Sequence, residues 1–335
     1  MAHKDFPTKD ADAFSSFVQG RAFFQSYLGT GQGEELTQAR DRFASATARD
    51  PQFDIAKLYL AVTQTELRDS DAAILALNEL VAKQSYLPEA HVQLAYAHIK
   101  RYLNTDYQEA ENELNRAVEA SKGGERSDLI DLIEAYRVFL FAVRGGRGTD
   151  EGPKKRQYLN NALTLGNKLL QDPSARDNAE KRLAVQFEVN NALGIAYLWL
   201  GQWFPGEPGA AKWWDQSETH LDVALKLRPN SVRPLQNLGL LYMLRGDRQQ
   251  GKPEEARHLY ATAKEFVSRS LKLNPFDQYP HFQMALLSIK NGDWDTATSS
   301  VSSGKLQKGS VSDEKWKLIS KAITNKEPSL ISGLR

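Results

Sequence analysis

Apolar residues along the chain recur with helical spacing, and the pattern as a whole repeats about every 34 residues. Leu60 is followed by Leu94 in the same local frame, which returns at Leu193, Leu238 and Met284. Within each frame the apolar positions lie three or four residues apart, which predicts helices with one buried stripe. The pattern therefore predicts an all-α chain of stacked helix pairs.

Small residues and prolines occur at fixed places in this frame. Gly239 precedes Tyr242 by three residues, and Pro275 follows the next helix; Gly194 and Tyr197 repeat the arrangement one unit earlier. Glycine lets two helix backbones approach closely, and proline cannot extend a helix. These motifs resemble the tetratricopeptide repeat (TPR) family. The resemblance implies helix-turn-helix units stacked into a right-handed superhelical solenoid.

We predict about seven such units between a polar N-terminal tail at residues 1–13 and a C-terminal tail at 326–335. The solenoid occupies residues 14–325 and ends with a closing helix at 313–322. The fourth unit departs most from the motif, because it lacks the Leu-Gly pair. The predicted units are 14–51, 52–87, 88–121, 127–173, 177–229, 230–275 and 276–311.

Prolines also predict elongated helices in the second half of the chain. Proline is favoured at the first turn of a helix, so Pro153, Pro208 and Pro253 indicate where three second helices begin. These helices are about two turns longer than the TPR repeat requires, and the first helix of the fifth unit is long too. The expected connecting loops are residues 144–152, 201–207 and 245–252.

The TPR resemblance implies that the first helices line the inner surface of the solenoid. Many residues at these inner positions are apolar, and exposed apolar patches usually mark a partner site. A tightly wound solenoid would instead bury the same residues against neighbouring helices. The predicted groove residues are Val92, Tyr96, Ile99, Asn191, Ile195, Leu198, Arg233, Gln236, Leu240, Met243, Tyr279, Phe282 and Leu286.

Some TPR proteins grip the C-terminal carboxylate of a partner with basic and asparagine side chains on successive first helices. Asn191 and Arg233 are candidates for such a clamp, with Lys100 further away. The full set is absent from adjacent units, so the pattern favours apolar recognition.

A second candidate surface is the rim formed by the predicted loops. Four of the six tryptophans lie close together in the chain, around Trp203 and Phe204, and tryptophan is enriched among interface hot spots. Arg144 and Arg147 belong to a glycine-rich basic segment that could hold phosphate or nucleic acid. Acidic residues interrupt that segment, and no aromatic residues alternate with its basic ones, so a mobile rim loop is the favoured interpretation.

Composition narrows the possible functions. The chain has 335 residues, of which 41% are hydrophobic; 43 basic and 42 acidic residues give a formal net charge of +1. Such balance provides no general attraction to nucleic acid or anionic membranes. The absence of cysteine excludes disulfides and cysteine-ligated metal centres. No apolar run reaches the roughly 20 residues of a membrane span, and the polar start lacks the core of a signal peptide.

No nucleophile elbow, phosphate loop or metal-ligand motif is present in the sequence. We therefore expect a cytoplasmic protein without catalytic activity, metal or cofactor. The predicted function is a scaffold or adaptor that captures a partner helix or peptide in an apolar concave groove. One alternative is a regulatory or sensor subunit that holds an effector enzyme in a signalling or bacterial defence complex. A weaker alternative is a nucleic-acid-binding array, and the chain could form a homo-oligomer or join a larger complex.

Overall fold

The computed structural model describes residues 8–84, 86–122, 129–171, 179–249, 251–307, 309 and 311–334. In these ranges the chain forms fifteen α-helices and a short 3-10 helix, without a strand, so the predicted all-α class is confirmed. The predicted starts of the fourth and fifth units, residues 127 and 177, lie outside the described residues. The helices are α1 (Ala11–Thr30), α2 (Gly33–Arg49), α3 (Asp54–Glu66), α4 (Ser70–Ala82), α5 (Leu87–Arg101), α6 (Asp106–Ser121), α7 (Ile130–Arg147), α8 (Gly152–Gln171), α9 (Ala179–Trp203), α10 (Ala210–Leu227), α11 (Val232–Asp247), α12 (Pro253–Leu273), α13 (Gln278–Lys290), α14 (Trp294–Lys305), α15 (Asp313–Asn325) and the 3-10 helix Pro328–Ile331.

The chain divides into two compact structural units, each of which is larger than one predicted repeat. Unit 1 comprises residues 1–140 and 171–185, and unit 2 comprises residues 141–170 and 186–335. The division falls inside α7 and inside α9.

In unit 1, successive helices from α1 to α6 pack against one another, and α3 also packs against α5. Aromatic rings dominate the first core cluster, in which Phe17 lies 5.0 Å from Phe53 and 5.8 Å from Phe43. The Asp10 carboxylate caps α1 by accepting a hydrogen bond from the Ala13 amide. Helix α1 therefore begins at Ala11, and the predicted tail of residues 1–13 is too long by three residues.

In unit 2, glycines allow first and second helices to approach closely. A Cβ atom on Gly239 would lie 2.7 Å from Val267 Cγ2, and one on Gly194 would lie 2.6 Å from Leu221 Cγ. These are the glycines of the repeat motif, so the packing role predicted for them is confirmed. The second helices α8, α10 and α12 contain 20, 18 and 21 residues, whereas α2, α4, α6 and α14 contain 17, 13, 16 and 12, so the difference is clear for α8 and α12 and small for α10. The predicted elongation is confirmed, and α9 reaches 25 residues.

The predicted starts of all three loops are wrong. Helix α7 continues to Arg147, α9 to Trp203 and α11 to Asp247, so parts of the expected loops 144–152, 201–207 and 245–252 are helical. A long-range contact supports the ends of α7 and α9, because the Trp203 indole N–H donates to the Gly146 carbonyl at 3.0 Å. The expected C-terminal tail also contains structure: the 3-10 helix packs against α13 and α15, and Ile331 is buried.

No helix among the described residues combines the length and apolar character that a membrane span requires.

Candidate functional site

The predicted groove residues have little exposed surface. Twelve of the thirteen are buried, and Arg233 is half-buried. Eleven residues of α11 and eleven of α13 are buried, so these first helices are enclosed on nearly all sides. The packing therefore favours the alternative weighed above, in which the solenoid buries these side chains instead of offering them to a partner.

Aromatic contacts show how this enclosure is achieved within each unit. In unit 1 the Tyr96 ring lies 5.2 Å from Tyr136 and 6.1 Å from Phe139, and its hydroxyl donates to Glu66. In unit 2 the Phe282 ring packs edge-on against Trp316 of α15 at 5.7 Å. The closing helix thus covers one of the central groove positions.

The polar groove residues of unit 2 form hydrogen bonds with other side chains of the same unit. Arg233 donates two hydrogen bonds to the carboxylate of Glu188, at 2.6 and 2.8 Å. Asn237 donates to the Asn191 side chain at 3.2 Å, and Gln236 donates to Asp277 at 2.8 Å. A carboxylate clamp built on Asn191 and Arg233 would have to displace these partners. The third clamp candidate, Lys100, is buried and lies 4.0 Å from Glu66 in unit 1.

The ends of α8, α9 and α10 bring a different set of residues to the surface of unit 2. Trp203 is 38% exposed and stacks on Trp199 at 5.6 Å, with ring planes 11° apart. The Lys155 ammonium lies 4.5 Å from the Trp203 ring. Close to them, Arg156 lies 5.3 Å from the Phe204 ring. We call these residues, together with Trp213, the aromatic rim.

Ionic contacts hold the aromatic rim in place. The Arg156 guanidinium lies 4.9 Å from the Trp213 ring and forms an ion pair with Glu207 at 2.5 Å. Trp213 itself is buried, as is Trp199, so both serve as support for the more exposed Trp203 and Phe204. A cation held over an aromatic face gains electrostatic stabilisation and keeps the ring orientation fixed. The rim is therefore a preorganised surface.

The two predicted rim arginines do not join this set. The Arg144 guanidinium lies 4.3 Å from the Tyr158 ring and 3.7 Å from Asp150. Arg147 lies 5.0 Å from the ring of Tyr279. The basic segment is thus divided among separate aromatic partners and does not form a single loop around a phosphate.

Sequence reasoning missed a polar cavity of about 420 Å³ in unit 2. Arg245 pairs with Glu218 at 2.6 Å and with Asp215 at 2.8 Å, and Arg248 lies 4.1 Å from the Trp214 ring. The only sequence signal for this cavity was the pair of arginines three residues apart at the end of α11. The signal was insufficient because the residues that they contact belong to another helix, α10. The lining residues are Trp214, Asp215, Glu218, Arg245, Arg248, Gln249 and Leu259.

In the described ranges, no group of three or more histidine, aspartate and glutamate side chains is placed to hold a metal ion.

No family model matches the chain, and no curated protein sequence matches it. Solved structures of helical repeat proteins are similar at low identity. The TPR2AB domain of yeast Sti1, in its complex with pHSP90, is 12% identical over 95% of this chain and 98% of that chain, with a TM-score of 0.30. Yeast Tom70 is 11% identical over 97% of each chain, with a TM-score of 0.29.

A monomeric mutant of IFIT1 with Gppp-AAAA is 14% identical over 97% of this chain and 86% of that chain, with a TM-score of 0.40. The fold class rests on the helices and glycine contacts of the chain itself, which are those of an all-α repeat protein.

Proposed function

We propose that the chain is a protein-binding scaffold that holds its partner at the aromatic rim of unit 2 and has no catalytic activity of its own. The observation that carries the proposal is one surface on which the exposed Trp203 ring and the half-buried Phe204 ring lie beside the cations Lys155 and Arg156. Tryptophan and arginine are the residues most enriched among interface hot spots, because they bury large areas and also form polar contacts. A surface whose rings are already oriented loses less side-chain entropy on binding.

The exposed fractions of the side chains favour the rim over the groove as the site that a partner contacts. Trp203 is 38% exposed, whereas Tyr96 and Phe282 are 3% and 1% exposed. A partner could reach those groove residues only after helices had separated, which would expose the core. The rim needs no such rearrangement.

Binding measurements can separate the two surfaces. A partner identified by affinity purification from the native host is first purified and titrated calorimetrically against the wild type. Replacing Trp203→Ala and Phe204→Ala together should weaken binding by about 2 kcal/mol or more, roughly 30-fold. Phe276→Ala is a matched control, because Phe276 is an exposed aromatic residue outside the rim.

If the rim double variant binds the partner with unchanged affinity and circular dichroism shows that it is folded, the rim is not the binding site. Phe282 and Tyr96 are buried, so their alanine variants could lose binding by unfolding. Loss of binding in these variants supports the groove as the partner site only if the Tm of each variant equals that of the wild type.

The rim also suits the alternative role of a regulatory or sensor subunit that holds an effector enzyme. That role requires the partner to be an enzyme whose turnover changes when the scaffold binds, and the rim double variant should remove the change. In either role we expect no turnover of nucleoside triphosphates or peptides by the chain alone, with or without divalent metals. Nucleic-acid binding would show a steep salt dependence, and we expect none.

A further inference from the structure

The two cations of the aromatic rim differ in how their charges are balanced. The Arg156 guanidinium forms an ion pair with the Glu207 carboxylate at 2.5 Å. The Lys155 ammonium instead lies 4.5 Å from the Trp203 ring, and no carboxylate among the described residues forms an ion pair with it. An aromatic face attracts a cation but carries no net charge. Lys155 is therefore a cation beside an exposed ring whose charge no carboxylate neutralises.

The sequence around Lys155 reinforces this positive charge. Helix α8 carries Lys154 and Lys155 in its first turn, with Arg156 directly after them and no acidic residue in that turn. In the same unit, α12 and α15 each carry two acidic residues in the first turn. The N-terminal end of a helix bears partial positive charge, which acidic residues offset and basic residues reinforce. The nearest acidic residue in sequence, Glu151, is exposed and precedes the helix.

An apolar surface lies directly beside this cation. Trp203 is 38% exposed, and the next residue, Phe204, is half-buried. The Trp203 ring is fixed by its stack on Trp199 and by the hydrogen bond that its indole N–H donates to the Gly146 carbonyl. A partner at this surface therefore meets a fixed ring and an ammonium close to it. The complementary groups are an apolar side chain and an anion that are neighbours in the partner.

We propose that the partner contacts the rim through an acidic protein segment, in which an aspartate or glutamate carboxylate pairs with Lys155 and a neighbouring apolar side chain packs against the exposed part of Trp203. This inference rests on the proposed function, because it assigns the chemistry of the partner at the same surface. The whole chain has a net charge of only +1, so the attraction is local to the rim. Trp203 is the one exposed ring of the rim, whereas nucleic acid is bound by several rings that stack on successive bases.

Short peptides test this chemistry without the natural partner. The peptide Glu-Glu-Phe-Glu-Glu, blocked at both ends, is titrated calorimetrically into the full chain, and so are the blocked peptide Gln-Gln-Phe-Gln-Gln and oligothymidylate. We expect saturable binding of the glutamate peptide and binding of the glutamine peptide that is about tenfold weaker or more, because only carboxylates neutralise the Lys155 ammonium. Added sodium chloride should weaken binding of the glutamate peptide, since it screens exposed charges. Oligothymidylate should not bind.

Variants of Lys155 show whether its charge is responsible. Lys155→Gln should weaken binding of the glutamate peptide about tenfold and should also reduce the salt dependence of that binding, which a loss of packing alone would leave unchanged. Lys155→Arg should retain binding, because it keeps the positive charge beside the ring. Lys317→Gln is the matched control, since it removes the same charge from an exposed position of α15, outside the rim.

Three results would overturn the acidic assignment. The first is a wild type that does not bind the glutamate peptide, and the second is equally tight binding of the glutamine peptide or of oligothymidylate. The third is a Lys155→Gln variant that loses no more affinity than Lys317→Gln. In each case the scaffold proposal still stands if Trp203→Ala with Phe204→Ala removes binding of the natural partner. If that double variant binds the natural partner as the wild type does, the proposed function itself fails.

Discussion

Helices α3 and α13 are the first helices of the predicted repeats 52–87 and 276–311, and both are 13 residues long, yet their surroundings differ. Five residues of α3 are buried, against eleven of α13. Helix α3 packs against α2, α4 and α5, whereas α13 packs against α11, α12, α14, α15 and the 3-10 helix. The closing elements at the end of the array therefore enclose α13 on sides that α3 leaves open.

The number of charged residues in each helix matches this difference in burial. Helix α3 carries charged residues at both ends and at Lys57, which pairs with Glu79 at the surface. Helix α13 has a single charged residue among Asp, Glu, Lys and Arg, namely Lys290 in its last turn. The comparison teaches that a first helix of this kind offers a binding surface only where no later element covers it. Partner contacts on unit 2 are then expected at helix ends, where the aromatic rim lies.

The strongest test of this comparison is Phe282→Ala. Removing a fully enclosed ring leaves a cavity next to Trp316, and we expect a loss of about 3–5 kcal/mol in the free energy of unfolding. Phe276→Ala removes the same side chain from a site that is 46% exposed and should change it by less than about 0.5 kcal/mol. Urea denaturation measures both. Similar losses in the two variants would show that α13 is not enclosed.

A smaller effect is expected from Gly239→Leu in α11. The added side chain meets Val267 of α12, and overpacking of this kind costs roughly 1–3 kcal/mol. Gly152→Leu serves as the control, because a Cβ at Gly152 meets no atom within 4 Å. Hydrogen exchange should show the loosening in α11 and α12. If Gly239→Leu melts like the wild type, the two helices do not cross closely at this glycine.

The smallest expected effects are changes of stability with pH that come from one residue in each unit. In unit 1, burial raises the pKa of the Glu113 carboxyl, but its interactions with His91 and Arg116 outweigh burial and leave the pKa below its ordinary value. This stabilisation is present above about pH 4.3 and is lost as the pH falls below it. In unit 2, burial and the hydrogen bond to Glu218 raise the pKa of Tyr242 to about 12. The unfolded tyrosine ionises first, near pH 10, so stability is lost between about pH 10 and 12.

Conservative variants measure the share of each residue in this pH profile. Glu113→Gln should make the acid limb shallower, and Tyr242→Phe should make the alkaline limb shallower, each without altering the other. Neither limb should vanish, because the pKa of Asp50, Glu79 and Asp293 is also lowered and that of Tyr197 and Tyr260 is also raised. Urea unfolding at a series of pH values gives both limbs, and an acid limb unchanged in Glu113→Gln would remove Glu113 as a contributor.

Sequence alone predicted those features of the fold that depend on local chemistry. Pro253 begins α12 as expected, and Gly194 and Gly239 lie where helices approach closely. The TPR frame also placed Arg233 among the inner positions, where it forms an ion pair with Glu188. Such features follow from residue type and spacing, which a repeat makes visible.

The candidate site could not be predicted to the same degree. The repeat frame indicates which residues face inward, but not how completely later helices cover them, and this coverage decides whether Phe282 is accessible. The rim was visible only as a local concentration of tryptophans. That Trp203 would stack on Trp199 and donate to Gly146 depends on a contact between residues far apart in the chain.

The tryptophan stack has a practical consequence for spectroscopy. Three of the six indoles lie at the rim or in its support, and the rings of Trp199 and Trp203 stack at 5.6 Å with their planes 11° apart. We expect the two stacked indoles to couple electronically, and the Lys155 ammonium, 4.5 Å from the Trp203 ring, to shift the emission of Trp203. Intrinsic fluorescence and near-ultraviolet circular dichroism of the unlabelled protein should therefore contain a signal from this surface, so rim occupancy can be followed without attaching a dye.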